Sequence, residues 1–144
     1  MATILTKNFT LEELCASPTA RALGIRNVPD DQAVAYLTGL AIKVLQPLRD
    51  WWGERILIGS GYRCAALNKA VGGVKNSQHM LGQAADLYIE GDMEKGRRWF
   101  EYIRKNLPFD QLILEHNAKG TYWVHVSYKP TGNRHQVIGN LLKK

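Results

Sequence analysis

Gln111-Leu112-Ile113-Leu114-Glu115-His116-Asn117-Ala118-Lys119-Gly120-Thr121-Tyr122-Trp123-Val124-His125-Val126-Ser127-Tyr128 reads as two β-strands, 111–115 and 122–128, joined by a polar, hairpin-like loop over 116–121. Successive side chains of a strand point to opposite faces. Leu112 and Leu114 therefore share one face, as do Val124, Val126 and Tyr128. Directly opposed residues of an antiparallel pair lie on the same face. Pairing Glu115 with Trp123 gathers Leu112, Leu114, Val124 and Val126 into a core face. It leaves Gln111, Glu115, Trp123, His125 and Ser127 on the other face. A slip of one residue would bury Glu115 in the core. Patterning alone brings a carboxylate beside a histidine above an apolar floor.

A second segment supplies what such a pair needs. Ser77-Gln78-His79-Met80-Leu81-Gly82-Gln83-Ala84-Ala85-Asp86 carries a histidine and, seven residues on, a carboxylate at the start of a strand expected over 84–89. Gly82 lets the chain turn back between them. Ala84 shares the Asp86 face and is small enough to leave room for an ion. Imidazole nitrogen and carboxylate oxygen are zinc ligands, and three protein ligands leave the fourth position for water or substrate. His79, Asp86 and His125 are thus read as a site for one Zn²⁺, with Glu115 as the general base that passes a proton to a leaving amine. Arg63 follows the glycine turn Ser60-Gly61-Tyr62. Its planar fork suits a carboxylate, either a substrate's or a structural partner's. His116 and His135 sit in polar loops and are expected to face solvent. Trp51 and Trp52, at a helix end, are expected to be core or packing residues, and Trp99 a core residue.

Helices precede this sheet. Thr10-Leu11-Glu12-Glu13 is a capping box. Ser17-Pro18 starts a second short helix, closed by Gly24. Pro29-Asp30-Asp31 opens a long amphipathic helix through Val34, Leu37, Ala41, Val44, Leu45 and Leu48. Pro47 is expected to kink that helix and Gly53 to end it. A short strand is expected over 55–59, a helix over 64–71, and a clear helix over 93–107. Gln136-Val137-Ile138-Gly139 adds an edge strand. Helices first and a mostly antiparallel sheet after make an α+β fold.

The chain has 144 residues, the length of one domain, so 1–144 is read as a single unit. It holds no apolar run of about 18 residues, so no membrane-spanning helix is expected. Residues 1–7 lack the pattern of a signal peptide. Cys15 and Cys64 lie far apart and in no metal-ligand spacing, and are read as reduced thiols. The net charge of +6 is read first as a solvated basic surface, with attraction to a polyanion such as an anionic wall polymer as the alternative. No nucleic-acid motif accompanies it, so nucleic acid is not expected as a partner.

These motifs resemble a known family. Ser77-x-His79-x-x-Gly82-x-Ala84-x-Asp86 is similar to the motif of the zinc D-Ala-D-Ala carboxypeptidase family. Ser60-Gly61-Tyr62-Arg63, Asn68-x-x-Val71-Gly72-Gly73 and Trp123-Val124-His125-Val126-Ser127 resemble its short, often phage- or prophage-encoded branch. The resemblance spans roughly 30–140, with 1–29 as a helical extension. It implies a small α+β domain shared with the hedgehog signalling domain, and one zinc on His79, Asp86 and His125. It implies cleavage of peptidoglycan stem peptides beside D-residues, with Arg63 and Ser77 near substrate. Many members carry the catalytic carboxylate three residues before the second histidine. Here that position is Tyr122, on the face away from His125, and Glu115 is the natural substitute. The expectation is a monomeric phage-type lytic peptidase, made in a bacterial cytoplasm and released onto the wall by another factor. The alternative is a non-catalytic zinc-bearing module, for example of a phage particle.

Overall fold

The structure, a computed structural model, describes residues 2–143. Capping chemistry sets the helix starts. Thr10 Oγ1 accepts the Glu13 N–H at 3.1 Å and opens α1 (Leu11–Cys15). Ser17 Oγ accepts the Ala20 N–H at 3.1 Å and opens α2 (Pro18–Leu23), which Gly24 closes at φ 67°. Asp30 Oδ1 accepts the Ala33 N–H at 2.8 Å at the start of α3 (Asp31–Leu40). Each such cap satisfies a backbone donor that the first helical turn leaves unpaired.

The expected long helix then runs on through a π-helical turn, Ala41–Leu45, into α4 (Gln46–Trp52). Pro47 explains the turn. It has no N–H to offer the Lys43 carbonyl, and its ring would clash there in a regular helix. The wider turn, in which the Gln46 N–H donates to the Ala41 carbonyl, absorbs the mismatch. Gly53 ends α4 in the left-handed region at φ 80°. Two further helices follow, α5 (Ala65–Ala70) and α6 (Met93–Asn106).

A two-stranded ladder, β1 (Ile4–Thr6) with β2 (Phe9–Thr10), precedes the helices and was not legible as strand. The main sheet holds β3 (Ile58–Ser60), β4 (Ala84–Tyr88), β5 (Gln111–Asn117), β6 (Tyr122–Ser127) and β7 (Gln136–Lys143). Their spatial order is β3-β4-β6-β5-β7. All neighbours are antiparallel except β5 and β7, which run parallel. The fold is α+β, as expected. Glu115 does oppose Trp123. Leu112, Leu114, Val124 and Val126 are buried together with Leu37, Val44, Leu48, Trp99 and Ile103 from the helices. Each fully buried side chain of this size contributes about 1.5–3 kcal/mol of transfer free energy. The Leu/Val face of the sheet is consumed by this core, and the Glu115 face is left to form a site.

Three local expectations are corrected. The strand expected over 55–59 begins only at Ile58, because residues 55–57 lie past the β4 ladder, where only the Leu57 carbonyl still accepts the Tyr88 N–H. The loop between β5 and β6 is shorter than expected: His116 and Asn117 extend β5, and Asn117 Oδ1 accepts the N–H groups of Lys119 and Thr121 to close the turn. His116 is half-buried rather than solvent-facing, and stacks on Tyr122 with ring centroids 4.8 Å apart. Trp51 is partly exposed and packs, stacked on Tyr102 at 4.1 Å, rather than entering the core. His135 is exposed, as expected, and rests on Phe109. Cys15 and Cys64 are free thiols, and burial pushes Cys15 up to about 11.

Candidate metal centre

Three elements converge above the open face of the sheet. Asp86 of β4 lies directly opposite His125 of β6 in the ladder. His79 comes from the 3₁₀ turn Gln78–Leu81 that precedes β4. Gly82 ends that turn at φ 81°, and a Cβ there would stand 2.5 Å from the Ala33 carbonyl oxygen of α3. Only glycine satisfies both the left-handed backbone and the close approach that presses the turn onto the sheet.

His79 is fixed at several points. Its Nδ1 lies 2.7 Å from the Gly61 carbonyl. A carbonyl only accepts, so Nδ1 carries a proton and Nε2, which faces Asp86, is the nitrogen that would turn a lone pair to a metal. Ser77 Oγ accepts the His79 N–H at 3.1 Å, and the Arg63 N–H donates to the His79 carbonyl at 3.0 Å. Gly61 itself seats against the Leu14 carbonyl, where no Cβ has room. The turn residue Gly61 thus holds the His79 imidazole and the motif residue Ser77 its backbone.

One ligand atom from each of His79, Asp86 and His125 lies within 4.8 Å of the others. Asp86 Oδ1 stands 3.3 Å from His79 Nε2 and 3.0 Å from His125 Nδ1. Zinc–ligand bonds near 2.0–2.1 Å in a tetrahedron imply ligand–ligand edges of about 3.3 Å. The spacing therefore suits an ion of that size, and two imidazoles with one carboxylate are a donor set it takes. Burial by itself would raise the Asp86 carboxyl, but the charges and hydrogen bonds of His79 and His125 outweigh it and hold Asp86 well below the usual carboxylate range. Asp86 is thereby kept as the anion that a cation requires.

Arg63 is held by three partners. Its Nε donates to Ser60 Oγ at 3.0 Å, Nη1 to Asn68 Oδ1 at 3.2 Å and Nη2 to Asp86 Oδ2 at 3.4 Å. Both readings of Arg63 therefore meet in one residue: it braces the carboxylate and also lines the cleft. Asn68 is held in turn by the Val74 carbonyl, and Gly73 packs so closely on Asn68 that a side chain there would displace it.

Glu115 is 3% exposed, and its two oxygens face different neighbours. Oε1 accepts the Trp123 indole N–H at 2.8 Å and lies 3.8 Å from His125 Nδ1. Oε2 lies 3.4 Å from the Lys143 ammonium. Tyr122 packs toward the core with His116, away from this group. All six residues singled out in the sequence, His79, Asp86, His125, Glu115, Arg63 and Ser77, line one cleft of about 700 Å³.

The far wall of that cleft was missed. β7 brings Ile138, Leu141 and Lys143 into it, and Arg134 enters from the β6–β7 connection. The signal was present but broken: a register shift in the β5–β7 ladder between Ile113 and Glu115 puts Ile138 and Leu141, three apart, on one face. Strict alternation does not find such a pair.

Comparison with known proteins comes to the same region. Residues 7–127 match the family described as Peptidase M15. Over 81 residues the chain is 36% identical to the zinc D-Ala-D-Ala carboxypeptidase of Streptomyces albus G, a stretch covering 56% of this chain and 31% of that protein. The chain thus matches about a third of the length of this relative.

Proposed function

The chain belongs to the peptidase M15 family, and from that premise we propose that it is a zinc-dependent peptidase of the bacterial cell wall. Its substrate class is the peptidoglycan stem peptide, cut beside a D-residue, and its setting is a phage or prophage lytic system. The observation that carries the reading is the cluster of His79, Asp86 and His125 with Glu115 Oε1 3.8 Å from His125 Nδ1. The similarity to a zinc D-Ala-D-Ala carboxypeptidase supports the choice of metal and substrate.

In this reading His79, Asp86 and His125 hold one zinc ion. Bound there, zinc lowers the pKa of water to roughly 7 and polarises a peptide carbonyl. Glu115 takes the proton of the attacking water and delivers it to the leaving amine. Trp123 keeps the Glu115 carboxylate turned toward the reacting bond through its N–H. Arg63 holds Asp86 and stands at the wall where substrate lies. Ser77 lines the same wall and caps the turn that carries His79. No covalent intermediate is required, and neither Cys15 nor Cys64 is among the residues that line the cleft.

The test is Glu115→Gln. Purified peptidoglycan is digested with zinc-loaded protein and the fragments are identified by mass. Replacing the base is expected to cost about 10²–10⁴ in rate while zinc content stays at one ion per chain. A wild-type protein that releases nothing from several wall chemotypes overturns the reading, as does a Gln variant of full activity.

A further inference from the structure

Among the described residues three cations line the cleft, and they are held very differently. Arg63 is committed to Ser60, Asn68 and Asp86. Arg134 donates Nε and Nη2 to the two oxygens of Asp110, at 3.0 and 2.7 Å. Among the described residues Lys143 has a single charged neighbour, Glu115 Oε2 at 3.4 Å, well beyond the 2.7–2.9 Å of a charge-assisted hydrogen bond. Its side chain remains 41% exposed. An ammonium has three donors, so Lys143 can take a second anion without releasing Glu115.

Its position says what that anion would be part of. Neighbouring strands lie about 4.8 Å apart, so the floor of the cleft extends two strands, about 10 Å, from β6 across β5 to β7. Ile138 and Leu141 of β7 stand beside Ile113 and Glu115 of β5 and make an apolar strip at its outer end. The Lys143 ammonium reaches back from this strip to Glu115. It therefore stands about one strand spacing from the His125 strand. An extended peptide advances about 3.3 Å per residue, which places the ammonium one or two residues from the reacting bond. Residues 128–143 lie beyond the region matched to the family, so family membership assigns nothing to this wall.

We propose that β7 forms a substrate subsite in which Lys143 receives the carboxylate of an anionic peptide residue, one or two positions from the scissile bond, while Ile138 and Leu141 carry its apolar portion. Lys143 is then a specificity-determining residue. The proposal rests on the peptidase reading of the cleft and adds to it the charge of the peptide that is preferred.

The experiment uses the full chain loaded with zinc and pairs of synthetic peptides. Within a pair, an acidic residue one or two positions from the susceptible bond is replaced by its amide. Hydrolysis gives kcat/KM for each peptide, and calorimetry gives binding of the same pair with the susceptible bond reduced and uncleavable. Wild-type protein is expected to prefer the acidic peptide by about tenfold in both, mainly through KM. In Lys143→Gln that ratio falls to about one, and in Lys143→Arg it is retained. An equal response to both peptides in the wild type, or a preference that survives Lys143→Gln, overturns the subsite. Binding discrimination that depends on Lys143, without hydrolysis of either peptide, supports the subsite and overturns the peptidase reading instead.

Discussion

Trp123 shows how one hydrogen bond can decide whether a carboxylate works. Its indole N–H donates to Glu115 Oε1 at 2.8 Å, from the position directly across the ladder. A buried carboxylate left without such a donor turns toward whatever partner remains, here Lys143 on its other oxygen. Hydrogen bonds to charged groups are worth about 1.5–3 kcal/mol, and about 1.4 kcal/mol is tenfold in rate. Trp123→Phe keeps the ring and removes only the donor, so kcat is expected to fall about 10–100-fold with little change in KM. If Trp123 acts through Glu115, the loss vanishes when Glu115 is already Gln. A double-mutant cycle on kcat separates this from a packing role, for which the two losses would multiply. The sequence placed Glu115 and Trp123 opposite each other from alternation alone. The hydrogen bond between them was not legible, because it depends on the rotamer of the indole and not on the pattern.

The connection between β6 and β7 is governed by Asp110, which is fully buried just before β5. Asp110 Oδ1 accepts the Arg134 backbone N–H at 2.9 Å, and the two carboxylate oxygens take the guanidinium. The Gln136 N–H then donates to the Asp110 carbonyl and starts the β5–β7 pairing. The hydrogen bond from Arg134 lowers the Asp110 pKa to about 2, against the opposing effect of burial. A carboxyl depressed by folding contributes stability above its unfolded pKa and loses it as pH falls toward the folded value. The window is thus between about pH 4 and pH 2, and the shift corresponds to about 2 kcal/mol. Urea unfolding of wild type and Asp110→Asn should show a stability difference that shrinks by about that amount across this window. A constant difference would mean that the pair does not stabilise the fold. Legibility at this scale followed the source of each element. Thr10, Ser17 and Asp30 announced their helices because capping is local, and β5 with β6 was readable because its period is unbroken. β7 was seen only as a fragment, and its place in the cleft was missed. Its parallel pairing depends on Asp110, 26 residues before Gln136, and its period is interrupted by a register shift. Arg63 is intermediate: its chemistry was legible, and Ser60 and Asn68 lie close by in the chain, but Asp86, its charged partner, comes from a distant strand.

At the scale of the whole molecule, the helices bury one face of the sheet and leave the cluster of His79, Asp86 and His125 on the other. The core spans α3, α4, α6 and the four strands β4, β6, β5 and β3 with its approach, and none of its residues is a member of the cluster. The fold is therefore expected to stand without an ion, unlike small domains that fold only around zinc. An ion would still tie the turn carrying His79 to two strands of the sheet, and so bind the folded chain more tightly than the unfolded one. A ligand at a hundredfold excess over its Kd stabilises by about 2.7 kcal/mol. With an unfolding entropy of about 2.1 cal/mol/K per residue, that raises Tm by about 9 °C for a chain of this length. Differential scanning calorimetry of protein stripped by a chelator should show one cooperative transition, and zinc at that excess should move it upward by about this amount. His125→Ala removes one ligand from the sheet side without touching the core, so its transition should stay where it is when zinc is added. A stripped protein with no transition would mean that the metal is part of the core's stability. An equal shift in the variant would place the ion elsewhere.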